Sequence, residues 1–553
     1  MRIALAQQNY LIGDFEGNRA KIISAIHEAK KQSADLVVFS ELCVCGYPPR
    51  DFLEFDDFNF RCEESVALIA KECEGISAIV GAPSRNPVVK GKDLFNSAFF
   101  LADGKVKEVI HKTLLPTYDI FDEVRYFESN TEWKLIECCG KKIALTICED
   151  IWNVGSNPLY VKTPMDELEK LNPDLVINIS ASPFDYEHQQ ERIAVLKNLT
   201  AQYHLPVYYC NTVGAQTELI FDGGSLVVSS DGNVFSEMKF FEEQISVFNH
   251  DDVLKSAESP SGDSSGTSPL RVTTQIQLIH DALVLGIRDY FGKLKFTNAI
   301  LGLSGGIDSA VVLCLAVEAL GKENVLPVLL PSEFSSAHSV DDSVSLCKNL
   351  GVRCENISIS PVFNEYLKSL DKSFAGKSFD LAEENLQARI RAAMLMAISN
   401  KHNYILLNTS NKSEAAVGYG TLYGDMCGGL AVIGDVYKTS VYELAHNINH
   451  NKEIIPENII SKPPSAELRP NQKDSDSLPE YDVLDKILFQ YIEKRKGPRE
   501  LMEMGFEKNL VERVLKLVNT SEYKRHQTPP ILRVSPKAFG SGRRLPIVGK
   551  YLS

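Results

Sequence analysis

The sequence predicts an α/β protein with two separate cores, and three observations carry that reading. Short β-rich apolar runs recur before residue 250, at 3–6, 36–39, 78–80, 98–101, 143–147, 175–179 and 207–209, and several alternate with helical patterns. That alternation is the signature of sheets layered with helices. Residues 256–269 are then almost entirely Ser, Gly, Pro, Asp and Thr. Such a stretch cannot bury a core, so 251–269 reads as a linker or mobile loop between a first domain, 1–250, and a second, 270–553. Beyond it, apolar runs at 299–303, 325–330 and 404–407 are separated by helical segments such as 310–320 and 386–399. This is the pattern of a doubly wound, Rossmann-like parallel sheet, which binds ligands at the carboxyl ends of its strands.

A chain of 553 residues has room for two to four domains. With 44% hydrophobic and 24% charged residues it has the composition of an ordinary soluble protein. The net charge of −15 argues against a nucleic-acid-binding face, which would have to be basic. The apolar run after Met1 is too short for a signal peptide, and no later run reaches the length of a membrane span. No membrane is expected, and the location expected is cytoplasmic. Twelve irregularly spaced cysteines then read as reduced thiols. Neither Cys43-Val44-Cys45 nor Cys138-Cys139 has a partner pair at zinc spacing, so no metal cluster is expected.

In the first half, Cys148 follows the strand run 143–147 and precedes Glu149-Asp150, which places its thiol at a strand end. A thiol is only slightly ionised at neutral pH, so attack on an amide needs a base and a group that stabilises the oxyanion. Glu41, in Ser40-Glu41-Leu42, is a candidate base, and Lys112, in His111-Lys112-Thr113, a candidate for the positive charge. Together with Gly46-Tyr47-Pro48-Pro49, Leu115-Pro116 and Phe121-Asp122-Glu123, these words resemble the Glu-Lys-Cys triad of the nitrilase superfamily over nearly all of residues 1–250. That resemblance implies a four-layer α-β-β-α sandwich and a thioester intermediate on Cys148. It further implies that Glu123 assists proton transfer, and that Tyr118, Glu123, Glu149, Ser180, Ser182 and Arg192 contact a glutamine substrate.

In the second half, Ser304-Gly305-Gly306-Ile307-Asp308-Ser309 directly follows the apolar run. Consecutive glycines let the chain turn so that successive N–H groups converge on an anion at a helix start. The Gly-Lys-Ser/Thr of a Walker A loop is missing. The hexapeptide resembles instead the SGGxDS loop of the N-type ATP pyrophosphatases, which adenylate an oxygen and release pyrophosphate. Asn385-Leu386-Gln387-Ala388-Arg389-Ile390-Arg391, Asn411-Lys412-Ser413-Glu414, Leu422-Tyr423-Gly424-Asp425-Met426, Asp435-Val436-Tyr437-Lys438-Thr439 and Lys462-Pro463-Pro464-Ser465-Ala466-Glu467-Leu468 are similar to NAD synthetase.

With both halves, the whole chain resembles the glutamine-dependent NAD synthetase family. The resemblance implies that glutamine, ATP and deamido-NAD are substrates, with Mg²⁺ as cofactor, and that the protein is a homo-oligomer. Asp308 and Glu414 would hold the metal. Ser304, Gly305, Gly306, Ile307, Asp308, Ser309, Arg391, Thr409, Lys438 and Ser465 would bind ATP, and Asn385, Asp425 and Lys524 deamido-NAD. Two departures stand out: Ser410 where the family commonly has Gly, and Cys427 where Ala is common. Two alternatives stay open here: another glutamine-fed ATP pyrophosphatase, and an amide or nitrile hydrolase with a nucleotide-sensing second half. Pyrophosphate release with ATP and deamido-NAD separates them.

Overall fold

In the first half, strand alternation sorts side chains onto two faces. In the computed structural model, which describes all residues except 89, 155–157, 259–272, 471 and 553, chain contacts divide the protein into two units, Met1–Thr273 and Thr274–Ser553. Among the described residues the first unit holds fourteen strands: Arg2–Gln7 (β1), Leu36–Val38 (β2), Ser77–Arg85 (β3), Leu94–Ala102 (β4), Lys105–His111 (β5), Ile136–Cys138 (β6), Lys141–Ile147 (β7), Leu175–Ser180 (β8), Val207–Asn211 (β9), Val213–Gln216 (β10), Leu219–Asp222 (β11), Leu226–Val228 (β12), Val234–Glu237 (β13) and Gln244–Asn249 (β14). One six-stranded sheet runs β14-β1-β2-β3-β4-β5, the other β13-β12-β9-β8-β7-β6, and β10 and β11 form a separate hairpin.

Ile3, Leu5, Leu36, Val38 and Ile79 of one sheet meet Ile143, Leu145, Ile147, Ile177 and Ile179 of the other. The alternate residues Ala4, Ala6, Val37 and Ala78 face helices Phe15–Lys31 and Asp56–Lys71. On the far side, Ala144 and Val176 face helices Pro164–Glu169 and His188–Tyr203. A strand has a period of two, so each presents one face to the other sheet and one to a helix. The expected four-layer α-β-β-α sandwich is what forms. In each sheet the middle strands, β1-β2-β3 and β7-β8-β9, are parallel, which gathers their carboxyl ends. The helix His250–Glu258 occupies the start of the stretch expected to be a linker. There the polar run still contains Val253, which is fully buried and joins the inter-sheet core. Residues 259–269 of that stretch lie outside the described residues.

The second unit carries Ala299–Gly302 (β15), Val325–Leu329 (β16), Glu355–Asn356 (β17), Ile405–Asn408 (β18) and Leu430–Ala431 (β19), all parallel, in the order β17-β16-β15-β18-β19. This is the expected doubly wound sheet, and its order reverses between β15 and β18, where such sheets bind ligands. Helices Gln275–Leu294 and Ile307–Leu320 flank it, and Leu381–His402 contributes Ile390 and Leu395 to the sheet core. Helices Tyr481–Ile492 and Lys508–Thr520 build a further apolar cluster that packs on Ala416 and Val417. Among the described residues, no helix is long and apolar enough to cross a membrane. All twelve cysteines are free.

Candidate active sites

In the first unit the strand ends converge on a buried ion network. Glu41 lies in the turn after β2, Lys112 directly after β5, and Cys148 directly after β7. Gly81 of β3 makes room for the turn: a Cβ there would stand 2.3 Å from the Leu42 nitrogen. Lys112 Nζ donates to Glu41 Oε1 at 2.7 Å and to Glu123 at 2.8 and 2.9 Å. Asn96 Nδ2 and the Ala181 N–H also donate to Glu41, at 2.7 and 3.0 Å, and Tyr47 donates to Glu123 at 2.9 Å. Lys112 is fully buried, which opposes its charge, yet Glu123 and Glu41 outweigh that and hold it well above its usual range. For Glu123 burial dominates and pushes its carboxyl up to about 7, with Lys112 opposing and Glu41 adding.

Cys148 has φ +45°, the left-handed region that a residue with a Cβ seldom adopts. The side chain is buried and joins the cluster between the two sheets. Burial pushes its thiol well above its usual range, Glu41 adds to this, and Lys112 opposes it. The resting thiol is therefore protonated, and its proton has to leave as the sulfur attacks.

The expected glutamine ligands fall into distinct settings. Tyr118 donates to Glu149 at 2.9 and 3.0 Å, and Tyr160 donates to the same carboxylate at 3.0 Å. Ser180 Oγ donates to Asn178 Oδ1 at 2.6 Å. Ser182 Oγ pairs at 2.7 Å with His188 Nε2, whose ring stacks on Trp152. Arg192 turns inward: its guanidinium meets Asp222 at 2.9 Å and the Gly223 carbonyl at 3.2 Å within the core. Asn96 and Tyr160 went unread in the sequence, since a lone polar residue in an apolar strand, or a single tyrosine in a loop, carries no local signal; Tyr47 stood in the word Gly46-Tyr47-Pro48-Pro49 but with no role of its own.

In the second unit a cavity of about 310 Å³ opens at the switch point. The loop between β15 and helix Ile307–Leu320 forms one wall. Gly305 adopts φ +80°, and a Cβ there would fall 2.4 Å from the Ser339 carbonyl oxygen, so glycine is required twice over. Ser304 Oγ accepts from the Gly306 N–H at 3.2 Å, and Ser309 Oγ accepts from the Ser304 N–H at 3.3 Å. Asp308 stands in the first turn of the helix, where Lys438 Nζ donates to its Oδ2 and Asn411 Nδ2 donates to its Oδ1 at 2.8 Å. Lys438 Nζ also lies 3.8 Å from Glu414. Burial pushes the Glu414 carboxyl well up, and Asp308 adds to the effect against Lys438. Asn411 orients this group twice, since its Oδ1 also accepts the Glu414 N–H at 2.9 Å and caps helix Lys412–Val417. The spacing Asn-x-x-Glu is the sequence sign of that cap.

Ser304, Gly306, Ile307, Asp308, Ser309, Arg391, Thr409, Glu414, Lys438, Ser465 and Asp425 all line the cavity. Gly305 lies between its neighbours in the loop. Arg391 Nε donates to the Leu330 carbonyl at 2.9 Å, and burial lowers the guanidinium to about 10 against Glu467 and Asp425. Ser465 Oγ donates to the Gln472 carbonyl at 2.6 Å. Asn385 and Asp425 meet at Thr421, which donates its hydroxyl to Asn385 at 2.7 Å and its N–H to Asp425 at 2.6 Å. Lys524 Nζ donates to the carbonyls of Gly418 and Gly420 at 2.7 and 2.8 Å. Ser410 is not among the described residues with positive φ, so the family's usual glycine is replaced without backbone strain.

A buried cysteine with a carboxylate–ammonium network on an α-β-β-α sandwich, joined to a phosphate cradle on a parallel sheet, defines a carbon–nitrogen ligase that carries its own amidohydrolase. The models of two families agree: Carbon-nitrogen hydrolase matches residues 2–257, and NAD synthase matches residues 279–528. The chain is 45% identical over 552 residues to a glutamine-dependent NAD(+) synthetase of Synechocystis, covering 99% of this chain and 98% of that one. It is 41% identical to that of Thermotoga maritima, covering 100% and 99%. The solved glutamine-dependent NAD+ synthetase of Acinetobacter baumannii, in complex with ADP, is 38% identical with a TM-score of 0.78, covering 99% and 98%. The chain belongs to the glutamine-dependent NAD synthetase family.

Proposed function

We propose that this enzyme hydrolyses glutamine at Cys148 and uses the ammonia to convert deamido-NAD to NAD at the cavity of the second unit. The observation that supports the reading is that each unit of one chain gathers groups suited to its half-reaction, Glu41 and Lys112 near one strand end and Asp308, Glu414 and Lys438 around one cavity. In the first, Glu41 accepts the Cys148 proton as Sγ attacks the side-chain amide carbon, and Lys112 offsets the charge of the oxyanion. Glu41 returns the proton to the departing ammonia, leaving a thioester. Glu41 then deprotonates water, which attacks the thioester carbon, so that glutamate leaves and the thiol is restored. Glu123 shares the Lys112 ammonium and keeps it between both carboxylates. Tyr118, Glu149, Ser180 and Ser182 shape the pocket for the amino-acid end, while Arg192, held by Asp222 in the core, supports it from behind.

In the second unit, the nicotinate carboxylate of deamido-NAD attacks the α-phosphorus of ATP and expels pyrophosphate. Ammonia then attacks the carbonyl carbon, AMP leaves, and NAD is formed. The N–H groups and hydroxyls of 304–309 hold the pyrophosphate, and Lys438 adds charge. Arg391, Thr409 and Ser465 position ATP, while Asn385, Asp425 and Lys524 position deamido-NAD. Asp308 and Glu414 suit Mg²⁺: they are two hard oxygen donors facing one cavity across a single ammonium, and Mg²⁺ takes one or two carboxylates with phosphate oxygens and water. When bound there it neutralises phosphate charge and stabilises the leaving pyrophosphate. Ammonia is mostly protonated at neutral pH, which favours its direct transfer between sites. A homo-oligomer in the cytoplasm completes the reading, and molar mass in solution tests the first part of it.

The deciding experiment follows pyrophosphate release with ATP, Mg²⁺ and deamido-NAD, using glutamine or ammonium chloride as donor. Release requiring deamido-NAD, with glutamate formed alongside NAD, is the expected result. Glutamine hydrolysis without any pyrophosphate release would favour a hydrolase with a nucleotide-sensing unit.

A further inference from the structure

We infer that Asp150 is a positioning residue of the glutaminase reaction, the carboxylate that sets Lys112 and Cys148 in register. Its Oδ1 accepts the main-chain N–H groups of Thr113 at 2.9 Å and Leu114 at 2.8 Å, the two residues that follow Lys112. Its Oδ2 accepts the N–H of Ile147 at 3.1 Å, the residue before Cys148. One planar group therefore ties the strand end that carries the ammonium to the strand end that carries the thiol. The bond to Ile147 also closes the turn around Cys148, which keeps that residue at φ +45°. On the other side, the Lys112 N–H donates to the Asn96 carbonyl at 2.8 Å, and the Asn130 N–H donates to the Lys112 carbonyl at 3.0 Å. Asp150 thus completes main-chain bonding across residues 112–114.

A buried carboxylate is costly to keep, and Asp150 is 3% exposed. Burial pushes its carboxyl up to about 6 although the Leu114, Ile147 and Thr113 N–H groups pull it down. What it supplies is geometry: two acceptor oxygens held about 2.2 Å apart in one plane, each on a different catalytic strand end. Asparagine keeps the shape but offers only one oxygen, and its NH₂ then opposes an N–H. Either the 113–114 side or the 147 side loses its anchor. A displacement of about 1 Å in a reacting pair costs on the order of 10²-fold in rate. Substrate contacts are untouched, so the loss falls on kcat.

The inference rests on Cys148 as the acyl carrier, and the test separates the two. The full-length enzyme is compared with Asp150→Asn, Asp150→Ala and Cys148→Ala for NAD formation from glutamine and from ammonium chloride, and for the rate at which a glutamine-shaped chloroketone alkylates Cys148. For Asp150→Asn we expect kcat with glutamine to fall about 10²-fold at a KM within about threefold, with the alkylation rate falling in parallel and ammonia-dependent synthesis unchanged. Asp150→Ala should lose more. If it does not fold, the isosteric Asn variant decides. Asp150→Asn with wild-type kcat, or with raised KM alone, overturns the inference, and so does equal loss with both nitrogen donors. Wild-type glutamine use by Cys148→Ala would instead overturn the reading of Cys148.

Discussion

Both sites place one ammonium between two carboxylates, yet they differ in who else has access to it. In the first unit Lys112 stands between Glu41 and Glu123, with side-chain exposures of 0%, 0% and 6%. In the second Lys438 stands between Asp308 and Glu414, at 3%, 17% and 17%. In each network burial raises one carboxyl against the surplus negative charge, Glu123 to about 7 and Glu414 well above its usual range. Where the network lines a cavity, a cation arriving with the phosphates can take up the charge. A neutral amide suits the sealed site, and a polyanion needs the open one. Preorganisation and accessibility are therefore traded against each other with the same three kinds of side chain.

The comparison breaks most decisively at Cys148. Cys148→Ala should lower glutamine-dependent synthesis by at least about 10³-fold, since the acyl carrier has no substitute. Ammonia-dependent synthesis should persist, because the open site keeps all its groups. Parallel loss with both donors, read as NAD formed, would mean that the sites are not separable. The converse test uses Asp308→Asn and Glu414→Gln. Each should cut pyrophosphate release about 10²- to 10³-fold with either donor, because the charge that receives the cation is halved. Glutamate formation should remain measurable in both. Normal ATP consumption by both variants would displace the metal from this pair.

Stability should separate the two networks as well. Lys112→Met leaves Glu41 and Glu123 sealed with no cation, and breaking such a pair costs about 3–5 kcal/mol. Lys438→Met leaves its carboxylates beside a cavity that water enters, so about 1–2 kcal/mol is expected. Denaturant unfolding followed by hydrogen exchange in each unit measures both. Equal costs would show that the second site is as dry as the first.

The legible parts of the molecule are those where one segment suffices. Alternating Ile3, Leu5 and Ala4, Ala6 fixes two faces of β1 without any partner being known, and Gly305-Gly306 after an apolar run marks a turn on its own. Glu41, Lys112 and Cys148 are legible because each stands at a strand end among recognisable neighbours. Asn96 is not: it becomes meaningful only once β4 brings it within 2.7 Å of a carboxylate 55 residues earlier in the chain. Arg192 shows the opposite failing. A charge on a polar-looking helix reads as a ligand, but its face turns inward, and Asp222 is the partner that the fold supplies. Long-range pairing of charges is decided by topology, which local pattern does not encode.

The smallest effect lies outside both sites and probes the frame of the phosphate cradle. His280, on helix Gln275–Leu294, contacts Asp281 at 3.0 Å and Glu318 at 3.2 Å, and Glu318 lies on the helix that begins at Ile307. Burial opposes the imidazolium, but the bonds to Asp281 and Glu318 outweigh it and raise the group from 6.5 to about 9. Between those values the folded state holds a proton that the unfolded chain has released. Stability from this group is therefore complete below pH 6.5 and lost as pH rises through 9. The carboxylates are 40% and 54% exposed, so solvent screening limits the effect to about 1 kcal/mol. Hydrogen exchange in this helix, measured from pH 6 to 9.5 after correction for intrinsic rates, should show that decline, and His280→Gln should flatten it. A wild-type profile already flat over that range would mean that the ion pair does not hold the two helices together.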